Sequence, residues 1–246
     1  MSGASSSAIA PPQSKGLPVD EAEGLGGDLE LSIRDVVATE RDDGALDVSI
    51  DSSRGQILGI LHPCEAEPGA AIFVGGALGG LDGPAGGLYP RVAKALVRDA
   101  AGLTSLRLHY RRPGDFEECV LDVLAGLSML KGIGAKRTAL VGHSFGAAVV
   151  IKAGELAEPV AGVAALSPQL YGTRTVQRLA PKSLLLAHGT ADRMLDCEAS
   201  RDIYKRANEP KRLVLYEGAG HSLSSCADEL FELLRDWLPE TVGAEA

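Results

Sequence analysis

The chain has 246 residues, 45% of them hydrophobic, and a formal net charge of −9 at neutral pH. This length supports one sizeable hydrophobic core, as in many single-domain α/β proteins. The acidic balance argues against nucleic acid or an anionic membrane surface as the main partner, and it favours a protein that acts on small molecules.

The termini and the middle of the chain differ in composition. Residues 1–30 are rich in Ser, Ala, Pro and Gly and have no sustained periodicity, so we expect a flexible N-terminal tail. We expect a single domain over residues 31–240 and a C-terminal tail over residues 241–246. No run approaches the ~20 apolar residues of a membrane span, and a secretory signal pattern is missing. We therefore expect a cytoplasmic protein.

Cysteine spacing gives no sign of a metal or redox site. The four cysteines form no C-x-x-C pair, so neither a zinc site nor a redox dithiol is indicated. We expect free thiols in a reducing compartment rather than a disulfide framework. The cysteines are Cys64, Cys119, Cys197 and Cys226.

The middle of the chain predicts alternating strands and helices. Residues 45–50 and 56–61 have the pattern of paired antiparallel strands joined by a turn. The following alternation is typical of a mostly parallel central sheet with helices on both faces, an α/β fold. We predict further strands at 70–74, 103–108, 138–141, 160–166, 182–187 and 212–216. We predict helices at 89–99, 115–130, 197–207 and 224–237, and one more that begins just after Ser144.

The most informative motif is Gly142-His143-Ser144-Phe145-Gly146, which fits Gly-x-Ser-x-Gly and follows the strand at 138–141. A serine between a strand and a helix in this motif has the form of a nucleophile elbow. The turn is so sharp that side chains at Gly142 and Gly146 would collide with neighbouring backbone. The free N–H groups of the following helix favour developing negative charge. Ser144 is therefore the candidate nucleophile.

Two further motifs follow later predicted strands. His188-Gly189-Thr190-Ala191-Asp192 comes after the strand at 182–187, and Gly218-Ala219-Gly220-His221 comes after the strand at 212–216. Ligand sites of parallel sheets lie beyond the carboxyl ends of the strands, so these residues are expected to meet Ser144. Serine, aspartate and histidine in this chain order can form a catalytic triad.

On these three motifs, the chain resembles the α/β-hydrolase superfamily over roughly residues 45–238. It is most similar to small, lidless serine esterases of the dienelactone hydrolase and prolyl-oligopeptidase type. The resemblance implies Ser144 as nucleophile, Asp192 as the acid and His221 as the base, in an α/β-hydrolase fold without a large lid domain. This chemistry needs no metal and no organic cofactor.

Other residues compete for the same roles. Asp196 is an alternative acid, although the resemblance places the acid at the end of His-Gly-x-x-Asp, and Asp196 is expected to begin or cap the next helix. His143 adjoins the nucleophile but is expected on the opposite face of the strand, as a packing or hydrogen-bonded residue. His188 is expected to support the loop that carries the acid.

An oxyanion hole requires two backbone donors. The resemblance gives Phe145 as the first, because it follows the nucleophile. The second is expected from Gly75-Gly76-Ala77-Leu78-Gly79-Gly80, where many relatives have His-Gly and this chain has Gly75-Gly76. If these positions align, Ala77 is the donor and Leu78 is the near alternative. These glycines alternatively form only a tight turn.

The loops around the expected cleft supply the candidate substrate contacts, which are Leu78, Tyr110, Arg111 and Tyr171. Arg111 and Arg112 either hold an acidic substrate group or remain solvated at the surface. The leading hypothesis is a hydrolase for a carboxylic ester or thioester, with a small-molecule ester as the partner. A short-peptide peptidase and a non-catalytic binding protein are the alternatives. The sequence leaves open whether the chain forms a homodimer.

Overall fold

The computed structural model of the protein describes residues 30–64, 69–98 and 102–243. Residues 1–29 and 244–246, which make up most of the two predicted tails, lie outside the described residues. The same holds for Asp99, the predicted end of the first helix. Statements on structure below refer to the described residues.

One sheet of nine strands runs through the described chain. The strands are β1 (Ile33–Glu40), β2 (Leu46–Ser52), β3 (Gly55–His62), β4 (Gly69–Val74), β5 (Thr104–His109), β6 (Arg137–His143), β7 (Val160–Leu166), β8 (Ser183–Gly189) and β9 (Lys211–Tyr216). Their order across the sheet is β1-β2-β3-β5-β4-β6-β7-β8-β9. The strands from β5 to β9 in this order pair in parallel. The expected mostly parallel sheet is confirmed.

The antiparallel part lies at one edge of the sheet. β2 and β3 form the predicted hairpin, with Ser52 opposite Gly55 at its turn. β3 then pairs antiparallel with β5 and so joins the hairpin to the parallel strands. β1 pairs antiparallel with β2 and was not predicted. All but the first of its residues are exposed, so this edge strand has no buried face to produce an alternating pattern.

Helices cover both faces of the sheet. They are α1 (Leu88–Arg98), α2 (Phe116–Gly132), α3 (Phe145–Leu156), α4 (Glu198–Arg206) and α5 (Ala227–Gly243), with short 3₁₀ segments at Val176–Leu179 and Ser224–Cys226. Side chains of β4 alternate between two cores: Ile72 packs with residues of α2 and α3, and Phe73 packs with residues of α1 and α5. Every residue of β4 is buried, which explains the uninterrupted apolar run of this strand.

The ends of the predicted segments differ slightly from the observed ones. α5 continues to Gly243, beyond residue 240, because Thr241 and Val242 are buried. The connection from β7 to β8 contains one short 3₁₀ helix at Val176–Leu179, which fits the expected absence of a large lid. No helix of the described chain is both long and apolar enough to cross a bilayer.

Candidate active site

Ser144 sits between β6 and α3 in a strained backbone conformation, with φ of 58° and ψ of −117°. A β-carbon added to Gly142 would lie 2.2 Å from the carbonyl oxygen of Gly146. A β-carbon added to Gly146 would lie 2.1 Å from the carbonyl oxygen of Gly75. Real β-carbons do not approach so closely, so both glycines are required by the backbone path. The predicted steric reason for this motif is confirmed.

Ser144, His221 and Asp192 form a continuous chain of hydrogen bonds. The Ser144 hydroxyl lies 3.0 Å from Nε2 of His221. Nδ1 of the same imidazole lies 2.7 Å from Oδ2 of Asp192. The carboxylate is fully buried and the imidazole is 16% exposed, so the histidine is accessible from the surface and the aspartate is not. The structure brings together the three residues that the motifs predicted.

Backbone amides fix the carboxylate of Asp192. Oδ1 accepts hydrogen bonds from the N–H groups of Met194 at 2.8 Å and Leu195 at 2.9 Å. Burial alone would raise the pKa of Asp192, but the hydrogen bonds from Leu195, His221 and Met194 together lower it below its ordinary value. The carboxylate is therefore charged at neutral pH, as an acid that must stabilise an imidazolium requires.

Asp196 has a different role in the structure. Its Oδ1 accepts a hydrogen bond from the backbone N–H of Glu198 at 3.0 Å, at the beginning of α4. This arrangement satisfies a free amide of the first helical turn. Asp196 thus lies just before α4, which begins at Glu198, and it binds the first helical amide rather than beginning the helix itself. The carboxylate next to His221 is that of Asp192.

Two further histidines lie next to these residues. His143 Nε2 lies 2.9 Å from the carbonyl oxygen of His221, and the two rings are 4.9 Å apart. Burial lowers the pKa of His143 to about 4, so its imidazole is neutral at pH 7 and donates its Nε2–H to that carbonyl. His188 Nε2 lies 3.1 Å from Oδ2 of Asp192. The expected hydrogen-bonding roles of both histidines are confirmed.

The loop after β4 lies directly beside the nucleophile. A β-carbon added to Gly76 would lie 3.8 Å from Cβ of Ser144. The Gly79 N–H donates to the Gly76 carbonyl at 2.9 Å, so Ala77 and Leu78 occupy the two central positions of a β-turn. In the described part of the chain, neither central N–H has a hydrogen-bond partner. Both remain candidates for the second oxyanion donor.

Phe145 begins α3, where the first N–H groups of a helix have no partner within the helix. Its ring is held edge-on by two neighbouring rings, with centroid distances of 6.3 Å to Tyr110 and 6.1 Å to Phe116. Phe116 in turn contacts Tyr171, 5.2 Å away, at the surface. This row of aromatic rings supports the backbone amide that the sequence assigns to the oxyanion hole.

The predicted substrate contacts divide into exposed and buried residues. Leu78 is 94% exposed and Tyr171 is 54% exposed, as side chains that meet a ligand require. Tyr110 is only 2% exposed and lies beneath Phe145. The expectation that Tyr110 contacts substrate is therefore not supported by its position.

Arg111 also departs from the expectation. Its guanidinium is buried between Asp122, with which it makes a very short contact, and Glu118, whose Oε2 lies 2.8 Å from Nη2. Buried carboxylates already pair this cation, so it is neither solvated nor free for an acidic substrate. Arg112, by contrast, has a 63% exposed side chain at the surface.

Sequence reasoning missed a cavity beside the acid loop. It has a volume of about 750 Å³, and its apolar lining includes Leu170, Met194 and Leu195. Leu170 is 48% exposed and Met194 is 72% exposed, although both are large apolar side chains. Two large apolar residues, Met194 and Leu195, stand two and three positions after Asp192 in a predicted loop, and they were the sequence signal for this surface. Exposed apolar groups that lie together are typical of binding sites.

A second cavity, of about 970 Å³, lies between the amino ends of β6, β7 and β8, at the opposite end of the strands from Ser144. Its half-buried cations, Arg137 and Lys182, each have partners, although Nε of Arg137 has none in the described part of the chain. Arg137 Nη2 donates to the carbonyl of Thr241 at 3.3 Å. Lys182 Nζ donates to the carbonyls of Gly154 and Ala157 at the end of α3. These cations satisfy helix ends, so their positions have a structural explanation.

Comparisons with known proteins agree with this architecture. A family model described as phospholipase/carboxylesterase matches residues 121–235. None of the curated proteins matched the sequence. Among solved structures, Est1E from Butyrivibrio proteoclasticus is similar with a TM-score of 0.66 and 17% identity, over 80% of this chain and 99% of that one.

Two other solved structures show the same similarity. XC6422 from Xanthomonas campestris, described as an α/β serine hydrolase without lid, has a TM-score of 0.62 and 20% identity, over 79% of this chain and 95% of that one. Acetyl xylan esterase 1 from Thermoanaerobacterium sp. has a TM-score of 0.64 and 14% identity, over 84% of this chain and 87% of that one. These similarities confirm the expected α/β-hydrolase fold without a large lid.

Proposed function

We propose that this chain, which has the fold of the α/β-hydrolase superfamily, is a serine hydrolase that cleaves a carboxylic ester or thioester through an acyl-enzyme on Ser144. The observation that carries the proposal is the hydrogen-bond chain from the Ser144 hydroxyl through His221 to Asp192, with distances of 3.0 and 2.7 Å. A serine hydroxyl is a poor nucleophile at neutral pH, so a base within hydrogen-bond reach is what this chemistry needs.

The reaction follows from the geometry of these residues. Nε2 of His221 takes the Ser144 proton as Oγ attacks the acyl carbon, and it returns that proton to the departing alcohol or thiol. Asp192 keeps Nδ1 protonated before attack and stabilises the imidazolium that forms. Water then attacks the acyl-enzyme, with His221 again as the base. The carboxylic acid product is released, and His221 returns the proton to Ser144.

The oxyanion formed in each tetrahedral intermediate needs two donors. The N–H of Phe145 is free at the start of α3, and the N–H of Ala77 is free in the turn beside Ser144. Removal of one such donor costs about 10²–10³ in kcat in a serine hydrolase. Leu78, the next residue of that turn, is the alternative second donor.

The surface around the site favours a small or medium substrate with an apolar acyl group. Leu78, Leu170, Tyr171 and Met194 present exposed apolar or aromatic surface on loops around the carboxyl ends of the central strands. Arg111 is not available to hold an acidic substrate group, because it is buried in ion pairs. Leu78 and Tyr171 remain proposed substrate contacts. Tyr110 and Arg111 are buried, so they support the site without touching the substrate.

The proposed location is the cytoplasm. All four cysteines are free thiols in the structure, which suits a reducing compartment. No group of three or more His, Cys, Asp or Glu side chains in the described chain is arranged to hold a metal ion. The proposed mechanism is complete without one, since His221 and two backbone amides carry the proton and the developing charge.

Labelling with a fluorophosphonate probe tests the nucleophile. Wild-type protein is expected to label at Ser144, and Ser144→Ala is expected to lose the label. Ser222→Ala is a matched control, because Ser222 is exposed and follows His221 without contacting Ser144. A folded wild-type protein that does not label contradicts the enzyme hypothesis and favours a binding protein.

Turnover of matched substrates then separates the reaction classes. We expect hydrolysis of p-nitrophenyl esters, with a rate that depends on acyl length, and little hydrolysis of the corresponding p-nitroanilides or short peptides. Preference for peptides over esters would instead support the peptidase alternative. Asp192→Asn is expected to reduce ester turnover far more than Asp196→Asn, because only Asp192 contacts His221.

A further inference from the structure

His188 is a fully buried histidine that lies behind the acid of the proposed triad. It is the sixth residue of β8, and its side chain has no exposed surface. Its Nε2 lies 3.1 Å from Oδ2 of Asp192 and 3.0 Å from the carbonyl oxygen of Leu195. Its Nδ1 lies 2.7 Å from Oγ of Ser200 on α4, which is also buried.

These contacts determine which ring nitrogen carries the proton. Both partners of Nε2, a carboxylate and a carbonyl, are acceptors only, so Nε2 must be a donor. In the neutral imidazole Nδ1 is then the acceptor, and the Ser200 hydroxyl donates to it. The two acceptors at Nε2 thus select the tautomer of His188, and the Ser200 hydroxyl holds the ring by donating to Nδ1.

The same carboxylate oxygen binds both histidines. Oδ2 of Asp192 accepts from His221 at 2.7 Å and from His188 at 3.1 Å, while Oδ1 accepts from two backbone amides. Every hydrogen bond to a carboxylate disperses part of its charge. The His188 bond therefore reduces the charge that Oδ2 offers to His221, in addition to holding the carboxylate in position.

We propose that His188 is a positioning residue of the reaction, which holds Asp192 and limits how strongly Asp192 attracts a proton to His221. This inference rests on the proposed function, since it assigns a role within the same triad. The base must be basic enough to take the Ser144 proton but must also be unprotonated at working pH. The hydrogen bond from His188, as the second donor to Oδ2 of Asp192, shifts His221 toward its unprotonated form.

Few other ionisable groups face these histidines. The groups around His221 are Asp192 from the loop after β8, His143 from the end of β6 and the Ser144 hydroxyl. The groups around His188 are Asp192 and the Ser200 hydroxyl of α4. Among the described residues, Asp192 is the only carboxylate hydrogen-bonded to either ring, so a change in its hydrogen bonds acts directly on His221.

Three variants at one position test this inference. His188→Ala removes the donor. His188→Gln keeps an amide N–H near the position of Nε2, whereas His188→Asn puts its amide near Nδ1, toward Ser200 and away from Asp192. The measurement is the pH profile of kcat/KM for a p-nitrophenyl ester, normalised to the fraction of protein that reacts with the fluorophosphonate.

We expect His188→Ala and His188→Asn to raise the pKa of the acid limb by about 0.5–1 unit, because Asp192 then attracts the His221 proton more strongly. In His188→Gln, the acid limb of the pH profile is expected to lie close to its wild-type position. Ser200→Ala, which removes the hydrogen bond to Nδ1 and so loosens the hold on the ring but keeps the imidazole, is expected to give a smaller shift in the same direction.

Other results overturn the inference. Loss of activity in His188→Ala without a shift of the acid limb means a merely structural role, and so does equal behaviour of the Gln and Asn variants. If the Ala variant does not fold, Ser200→Ala and His188→Gln decide by the same readout, and an unshifted limb in Ser200→Ala counts against the proposal. Failure of wild-type protein to label is a separate result, which refutes the proposed function itself.

Discussion

The α-carbon of Gly146 lies so close to the carbonyl oxygen of Gly75 that an added β-carbon would be 2.1 Å from it. This contact joins the start of α3 to the loop that carries Ala77, so the two proposed oxyanion donors share one rigid junction. Gly146→Ala must push the two backbones apart. We expect a loss of about 1–3 kcal/mol in stability and a fall of about 10² in kcat, since small misplacements of a catalytic group are that costly.

Urea unfolding and ester turnover measure both effects of Gly146→Ala. Gly132→Ala is the matched control, because Gly132 ends α2 and an added β-carbon there meets nothing within 4 Å. The control is expected to retain full activity and to gain up to about 1 kcal/mol from the better helix propensity of alanine. Equal behaviour of the two variants would contradict the steric argument.

The turn at Gly76–Gly79 allows the second oxyanion donor to be identified. Ala77 is the first central residue of this turn and has a negative φ, a position that proline fits well. Ala77→Pro therefore removes one N–H and preserves the turn. We expect kcat to fall by about 10²–10³ with little change in thermal stability.

Leu78→Ala is the control for this experiment, because it shortens an exposed side chain and keeps every backbone N–H. It is expected to change KM more than kcat. If Ala77→Pro keeps wild-type kcat, Ala77 is not the donor, and the N–H of Leu78 becomes the candidate.

Ser144 stores backbone strain that glycine would relieve. Its φ of 58° and ψ of −117° lie in the mirror image of the extended region, which glycine alone adopts without cost. We expect Ser144→Gly to be more stable than Ser144→Ala by about 1 kcal/mol. Both variants lose fluorophosphonate labelling, so thermal unfolding is the measurement. An alanine variant as stable as the glycine variant would mean that the turn is not strained.

Features whose cause is local could be predicted from the sequence. β7 (Val160–Leu166) was predicted with its observed bounds, because a strand buried on both faces is a plain apolar run. Ser144, Asp192 and His221 were predicted to meet because each follows a strand of one parallel sheet. These inferences needed only short segments and one rule on where strands end.

Features that depend on distant partners could not be predicted. The sequence around Arg111 does not indicate that Asp122 and Glu118, one helix away, bury its charge. β1 (Ile33–Glu40) is exposed along nearly its whole length, so pairing with β2 rather than burial makes it a strand. Leu170 and Met194 form one exposed apolar surface only because the loops after β7 and β8 come together in the fold.

The exposed apolar surface at Met194 leads to a prediction on substrate preference. Met194 is 72% exposed beside the cavity next to Asp192, and a long apolar acyl group would cover it. Met194→Ser is expected to raise KM for longer p-nitrophenyl esters by about 3–10-fold, which corresponds to a loss of about 0.7–1.4 kcal/mol of apolar contact, and to leave the acetyl ester unaffected. Leu156→Ser is the control, because Leu156 is exposed at the far end of α3. Equal effects on short and long esters would exclude Met194 from the acyl site.

His62 makes the stability of the fold depend on pH in a defined range. Its imidazole is 5% exposed on β3, and the Nε of Arg107 donates to its Nε2 at 3.3 Å. Burial, with the nearby Arg107 charge, lowers the pKa of His62 to about 4. The unfolded chain has an ordinary histidine pKa near ~6.5. Between these values only the unfolded state binds the proton, so stability is highest above pH ~6.5 and falls as the pH drops toward 4.

His62→Gln keeps an acceptor for Arg107 but has no titrating group. We expect the slope of unfolding free energy against pH, measured by urea unfolding between pH 4.5 and 6, to decrease by about one proton, or about 1.4 kcal/mol per pH unit. His143, whose pKa is also about 4, continues to contribute in the variant, so part of the slope remains. Carboxylates with lowered pKa, such as Glu118, act below this range because their contribution is lost only under more acidic conditions. A slope equal to that of wild type would mean that His62 is protonated in the folded protein.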